Sequence, residues 1–197
     1  MGESVNRGRE KRPKFHVGTS GWSYGGWDGL FYPEDARSTV GRLSFYARHF
    51  RTVEVNYSFY HLPKPETYLR WASAVPEDFV FAVKASRFIT HIKRLEGIEE
   101  AWERFAENAK ALDKRLGPVL FQFPASLQVD IGRLSRFLDL VGRPGGAQPI
   151  HPVFEFRHSS WFCEETYAVL READAPLCIA HSSRYPCEEV VTASLVY

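Results

Sequence analysis

Ionisable and amide side chains recur at one kind of place in this sequence, the last positions of short apolar runs. Glu155 and Arg157 alternate with Phe154 and Phe156; Lys84 and Ser86 close Phe-Ala-Val-Lys-Ala-Ser; Glu54 and Asn56 close Val-Glu-Val-Asn; Gln122 sits in Leu-Phe-Gln-Phe-Pro. Side chains two apart on a strand share a face, so each pair points the same way. A lysine at the end of a buried strand binds an anion or has its pKa lowered for base or Schiff-base chemistry. Arg157 has the planar fork that grips carboxylate or phosphate through two bonds. Glu54 is a candidate general base or metal ligand, Glu155 a candidate for proton transfer or substrate positioning, and Asn56 and Gln122 candidate orienting groups. His91 and His158 follow two of these runs and are candidates for acid–base work or ligation. Trp22, Tyr24, Trp27 and Trp161 are candidates for an aromatic shelf under a sugar or nucleobase. Each has a structural alternative: an ion-pair network for the charges, satisfied buried polar groups for the amides, lid packing for the aromatics.

The elements needed to position these residues alternate. Strand-like runs span 15–20, 53–60, 79–86, 119–123, 153–156 and 177–180, and 193–197 reads as the start of a seventh. Between them, helical periodicity covers 39–50, 67–75, 98–116, 131–141 and 163–173, with Gly117-Pro118 as the stop after the longest helix and Arg143-Pro144-Gly145-Gly146 as a loop. Strand–helix alternation favours parallel α/β architecture. No Gly-x-Gly-x-x-Gly follows the first run, which removes the main support for a dinucleotide fold. Polar residues at the ends of several strands favour a TIM-like (β/α) barrel, whose active sites lie at that face. Residues 1–14 read as a disordered basic arm and 15–197 as a single barrel domain. The chain stops inside an apolar run, whereas such barrels typically need about 250 residues. The expectation is a barrel incomplete at its C-terminus, lacking its last unit or units.

Composition narrows the function classes. The net charge of +1 argues against an electrostatically driven nucleic-acid binder. Cys163, Cys178 and Cys187 form no Cys-x-x-Cys pair, so neither a disulfide framework nor a structural zinc site is expected. Without the apolar core of a signal peptide or a run of membrane-spanning length, a cytoplasmic protein is expected. Asn56-Tyr57-Ser58 matches a glycosylation sequon by chance. A nucleophile elbow, a His-Glu-x-x-His pair and a Walker loop are all absent from the sequence.

Five segments together resemble the YecE-like family, also called domain of unknown function 72. They are Gly18-Thr19-Ser20-Gly21-Trp22-Ser23-Tyr24 with Trp27 and Phe31-Tyr32-Pro33; Val53-Glu54-Val55-Asn56 with Phe59-Tyr60 and Pro63; Phe81 to Ser86 with Thr90-His91; Leu120 to Pro124; and Glu155-Phe156-Arg157 with Trp161. The resemblance covers about residues 15–197 and implies a fold similar to TIM barrels, without an activity. Two departures stand out: the Arg-x-His-Gly pattern beyond this terminus is absent, and His181 stands where many members place an acid.

The leading expectation is therefore an enzyme acting on a phosphorylated or otherwise anionic sugar or nucleotide-like substrate. Lys84 and Arg157 would hold the anion, Glu54 or Glu155 would transfer protons, and His91 would assist. The first alternative is a metal-dependent phosphodiesterase or endonuclease-like hydrolase with a divalent metal on Glu54, His91, Glu155 and His158. The second is a non-catalytic module binding nucleic acid or a small ligand.

Overall fold

In the computed structural model, which describes residues 14–142 and 150–197, four parallel strands lie side by side in sequence order. They are β1 (Thr52–Val55), β2 (Val80–Lys84), β3 (Leu116–Gln122) and β4 (Pro152–Glu155). Parallel neighbours require crossover connections, and helices supply them. The elements α2 (Tyr57–Tyr60) and α3 (Pro65–Ser73) join β1 to β2, α4 (Glu99–Ala109) joins β2 to β3, and α5 (Ile131–Val141) lies between β3 and β4. Helix α1 (Thr39–Tyr46) precedes the sheet and α6 (Glu164–Glu172) follows it. Local chemistry sets the helix starts. The Ser38 hydroxyl accepts from Gly41 N–H at 2.9 Å, the Asp130 carboxylate accepts from Arg133 N–H at 2.9 Å, and Pro65 opens α3 where a missing N–H does no harm. The expected basic arm lies almost wholly, and the 143–146 loop wholly, outside the described residues.

The register assigns every strand residue to a face. Phe81, Val83, Phe121 and Phe154 turn toward the helices, where Phe121 meets Phe137 of α5 at 4.8 Å and Trp102 of α4 at 5.6 Å between ring centroids. The other face carries Glu54, Ala82, Lys84, Leu120, Gln122, Val153 and Glu155. Gln122 and Glu155 are register partners, so their side chains are neighbours by construction. Close approach within the sheet explains Gly117, where a Cβ would press on the Val80 side chain and sit 3.1 Å from the Phe81 carbonyl oxygen.

Four expectations about elements need correction. The run 53–60 is a strand only to Val55. Asn56 takes a helical backbone conformation, and the Ser58 hydroxyl donates to the Val55 and Lys84 carbonyls, so 57–60 winds into α2. The long helix stops at Ala109 and passes into 3-10 turns over Lys110–Arg115, broken by a kink at Asp113, which adopts φ 51°; Gly117-Pro118 lies inside β3 rather than ending the helix. Residues 15–20 form no strand. Thr19 accepts from Glu54 N–H at 3.0 Å, but its own N–H goes to the Tyr46 hydroxyl at 2.8 Å. Residues 177–180 and 193–197 are no strands either. Leu177 makes a single bridge to Phe154 while the Thr192 hydroxyl takes its N–H, and Ile179 N–H meets the Tyr197 carbonyl at 2.9 Å. The sheet is consequently open, with its two edges bordered by loosely attached chain.

Candidate functional site

The carboxyl ends of the strands and the loops that leave them enclose a pocket of about 360 Å³. Its polar lining is Asn56, Lys84, Arg87, His91, Gln122 and Arg157. Phe59 and Tyr60 of α2 supply its apolar wall. Lys84 is the last residue of β2, and its ammonium stands 5.0 Å from the centre of the Phe59 ring. Among the described residues it enters no ion pair. Burial is the largest influence on Lys84 and lowers its pKa, against the attraction of Glu155 and Glu54. Arg87, three residues on, is exposed and likewise unpaired among the described residues.

A single turn of π-helix, Phe88–Ile92, follows and presents His91. Such turns are enriched at functional sites. Thr90 is fully buried, and its hydroxyl lies 2.8 Å from His91 Nδ1, while Phe59 packs edge-on against the imidazole at 5.0 Å. Burial first, then Arg157, Lys84 and Arg87, push the His91 pKa down, so the ring is held neutral.

The two carboxylates lie one tier behind this lining. Glu155, 8% exposed, accepts from Gln122 Nε2 at 2.6 Å and from Arg157 Nε at 2.9 Å. These bonds fix the amide and the guanidinium while leaving the outer end of the arginine toward the pocket, with Tyr185 stacked at 4.7 Å. Glu54 accepts from Ser20 at 2.8 Å, from Asn56 Nδ2 at 3.1 Å and from the Tyr197 hydroxyl at 2.8 Å. Asn56 Nδ2 also reaches the Ser20 hydroxyl at 2.5 Å, so its donors are spent and its carbonyl remains an acceptor. Tyr197 stays protonated, its pKa pushed up by burial and by Glu54. Cys178, whose thiol is pushed up to about 12 chiefly by burial, is no nucleophile.

The structure thus gathers Lys84, His91, Arg157, Asn56 and Gln122 around one pocket and sets Glu54 and Glu155 as the groups that orient them. It does not gather the rest. Trp161 is fully buried, stacks on Phe156 at 4.6 Å and donates from Nε1 to the Leu127 carbonyl at 2.7 Å, so it belongs to the core and not to a ligand shelf. His158 Nδ1 accepts from Ser160 N–H at 3.1 Å and caps the 159–161 turn. It does not line the pocket. Among the described residues, no group of three or more His, Cys, Asp or Glu side chains can hold a metal ion, so Glu54, His91, Glu155 and His158 do not form the expected ligand set. Trp22 and Tyr24 line a separate pocket, and Trp27 packs into the aromatic cluster of Phe31 and Tyr32. His181 is exposed. Sequence reasoning missed Arg87, whose signal was its place three residues beyond Lys84.

A parallel four-stranded sheet with helical crossovers, and a cation-lined pocket at the carboxyl ends of its strands, define an α/β protein. The profile of the family described as "Protein of unknown function DUF72" matches residues 16–197, and the chain belongs to that family. It is 33% identical over 144 residues to the UPF0759 protein YecE of Escherichia coli K12, covering 71% of this chain and 49% of YecE. It is 29% identical over 158 residues to the UPF0759 protein YunF of Bacillus subtilis 168, covering 77% of this chain and 54% of YunF. The chain spans about half the length of these curated relatives. A DUF72 family protein from Thermotoga maritima superposes with a TM-score of 0.74 at 29% identity, over 90% of this chain and 70% of that one. One from Enterococcus faecalis superposes with a TM-score of 0.73 at 23% identity, over 90% and 66%, which speaks to the fold alone. Among the described residues no helix is long and apolar enough to cross a membrane.

Proposed function

We propose that this chain carries the anion-holding site of an enzyme acting on a phosphorylated or otherwise anionic sugar or nucleotide-like substrate. The observation that carries the reading is the convergence of Lys84, Arg87 and Arg157 on one pocket, with Arg157 alone of the three in an ion pair among the described residues. Lys84, unpaired among the described residues and partly desolvated, is costly to hold charged, and an incoming anion offsets that cost. Asn56 and Gln122 offer amide carbonyls to substrate hydroxyls. Proton transfer falls to His91, which lines the pocket and is held neutral, rather than to the carboxylates behind it. We further read the sheet as part of a TIM-like barrel. Supporting this, the Thr19 carbonyl accepts from Glu54 N–H at the β1 edge, Leu177 forms an isolated bridge to Phe154 at the β4 edge, and the Tyr197 hydroxyl bonds Glu54. Three free cysteines suit a reducing cytoplasm.

Calorimetric titration with inorganic phosphate tests the site. Binding that weakens with salt and falls about 10-fold in Arg87→Ala is the expected result. Arg87 is exposed, so its loss leaves the fold alone. Absence of phosphate binding, or unchanged binding in Arg87→Ala, would overturn the reading.

A further inference from the structure

The short helix α2 separates two pockets rather than closing one. Phe59 and Tyr60 face the cationic pocket, while Tyr57, two residues earlier, lines a second pocket of about 590 Å³. Asn56, immediately before the helix, lines both. The second pocket has a different chemistry. Its walls are aromatic: Trp22 and Trp71 meet edge to face at 5.2 Å, Tyr57 stands edge-on to Trp71 at 6.2 Å, and Tyr24 is half-exposed at the mouth. Trp22 is anchored by its Nε1 bond to the Thr39 carbonyl at 3.0 Å, so this wall is preformed. Polar residues line the rest: Ser20, Ser23, Thr39, Asn56 and Thr67, with Arg70, which among the described residues bonds Thr67 at 3.3 Å. Mostly apolar walls with a few placed polar groups are what a planar ring with polar edges requires.

We infer that the two pockets are subsites of one ligand, a nucleoside monophosphate whose phosphate sits among Lys84, Arg87 and Arg157 and whose base stacks against Tyr57 and Tyr24 beyond Asn56. The inference rests on the anion-site reading and adds the ring. Asn56 stands at the junction, where the sugar joins base to phosphate, and its free carbonyl accepts from a ribose hydroxyl. A simple sugar phosphate would fill the cationic pocket and leave the aromatic one vacant. A nucleoside monophosphate uses both.

The test is a three-ligand titration followed by calorimetry and by tryptophan fluorescence: inorganic phosphate, a nucleoside, and its 5′-monophosphate. The monophosphate is expected to bind at least about 10-fold more tightly than phosphate. Tyr57 is 52% exposed, so Tyr57→Ala keeps the fold. It should weaken the monophosphate by about 5- to 150-fold, the range for losing an aromatic stacking partner. Phosphate affinity should stay unchanged, and Tyr57→Phe should restore the difference. Equal binding of phosphate and monophosphate, or a Tyr57→Ala variant that binds both like the parent, overturns this inference and leaves the anion site standing. Nucleoside binding without phosphate binding keeps the ring subsite but overturns the shared ligand and the anion reading. If none of the three binds, both fall.

Discussion

Replacing Lys84 by methionine should separate what this residue does for a ligand from what it does for the fold. The side chain keeps its length, its stem and a favourable contact with Phe59, and loses only the ammonium. On the stability side two effects oppose. The cation–π contact at 5.0 Å from Phe59 is lost, a contribution of about 0.5–2 kcal/mol. Against this, the variant no longer holds a charge whose burial is unfavourable enough to lower the Lys84 pKa. No carboxylate is orphaned, since Glu155 keeps Gln122 and Arg157 and Glu54 keeps Ser20, Asn56 and Tyr197. The net change should stay within about 1 kcal/mol at neutral pH. On the binding side, a charge-assisted contact to the anion disappears, about 1.5–3 kcal/mol, or about 10- to 150-fold in Kd. The pH axis gives a second check. Because the folded pKa is lowered, between that value and the ordinary lysine value of about 10.4 the unfolded chain holds more protons than the folded one. Stability should therefore rise with pH across that window and be fully penalised below it, and Lys84→Met should flatten the slope. Urea denaturation from pH 7 to 10, with phosphate titration at low salt, measures both. A variant that unfolds about 3 kcal/mol more easily would make Lys84 a structural ion-pair partner. One that binds phosphate within about twofold of the parent would remove it from the site.

Four further outcomes follow from individual contacts. The His91 pKa is lowered, so between that value and about 6.5 the unfolded chain binds more protons; Tm should fall as pH drops through this window, and His91→Gln should lessen the fall. A phosphate in the pocket counters Lys84, Arg87 and Arg157 and raises the His91 pKa, so NMR titration of the imidazole should shift to higher pH on binding. Trp161→Ala should cost about 3–5 kcal/mol in urea denaturation, because the side chain is fully buried and stacked on Phe156; a loss under about 1 kcal/mol would contradict its assignment to the core. Gln122→Leu strips Glu155 of a 2.6 Å donor in a buried setting, so stability should drop by about 1–3 kcal/mol and phosphate affinity should fall as Arg157 is left less firmly placed.

The convergence at the strand ends was legible because a strand's period of two is rigid. Once Glu54, Lys84, Gln122 and Glu155 were seen to close apolar runs, parallel pairing put them on one face at one end. The tier each occupies was not legible. Sequence treats Glu155 and Arg157 alike, two residues apart, but Glu155 faces inward with Gln122 while the arginine's longer stem carries its charge outward. Trp161 failed for a related reason: residue type speaks for an aromatic shelf or a core equally, and the decision lay in Leu127, thirty-four positions away. The strand expected through Tyr60 failed because its alternation is genuine; the turn at Asn56 comes from a hydroxyl, Ser58, bonding to β2, a tertiary contact that local pattern does not encode.

These displacements share a cause that bears on how the site works. The candidate residues comprise three cations, Lys84, Arg87 and Arg157, and two carboxylates, Glu54 and Glu155, which leaves one positive charge uncompensated. Had the carboxylates faced the pocket, they would have repelled the anion that the cations attract. Placed behind, Glu155 holds Arg157 and Gln122 in one geometry, and Glu54 does the same for Asn56 with Ser20 and Tyr197. Such preorganisation lowers the ordering that binding must otherwise pay for. Burial first, and then the partly balanced cations nearest the ring, lower the His91 pKa. Under the proposed reading, a ligand bearing two negative charges would reverse that balance and raise the His91 pKa. On the proposed function, the cations that hold the anion and the imidazole beside them would then work together, the filled pocket raising the His91 pKa toward the range of a general acid.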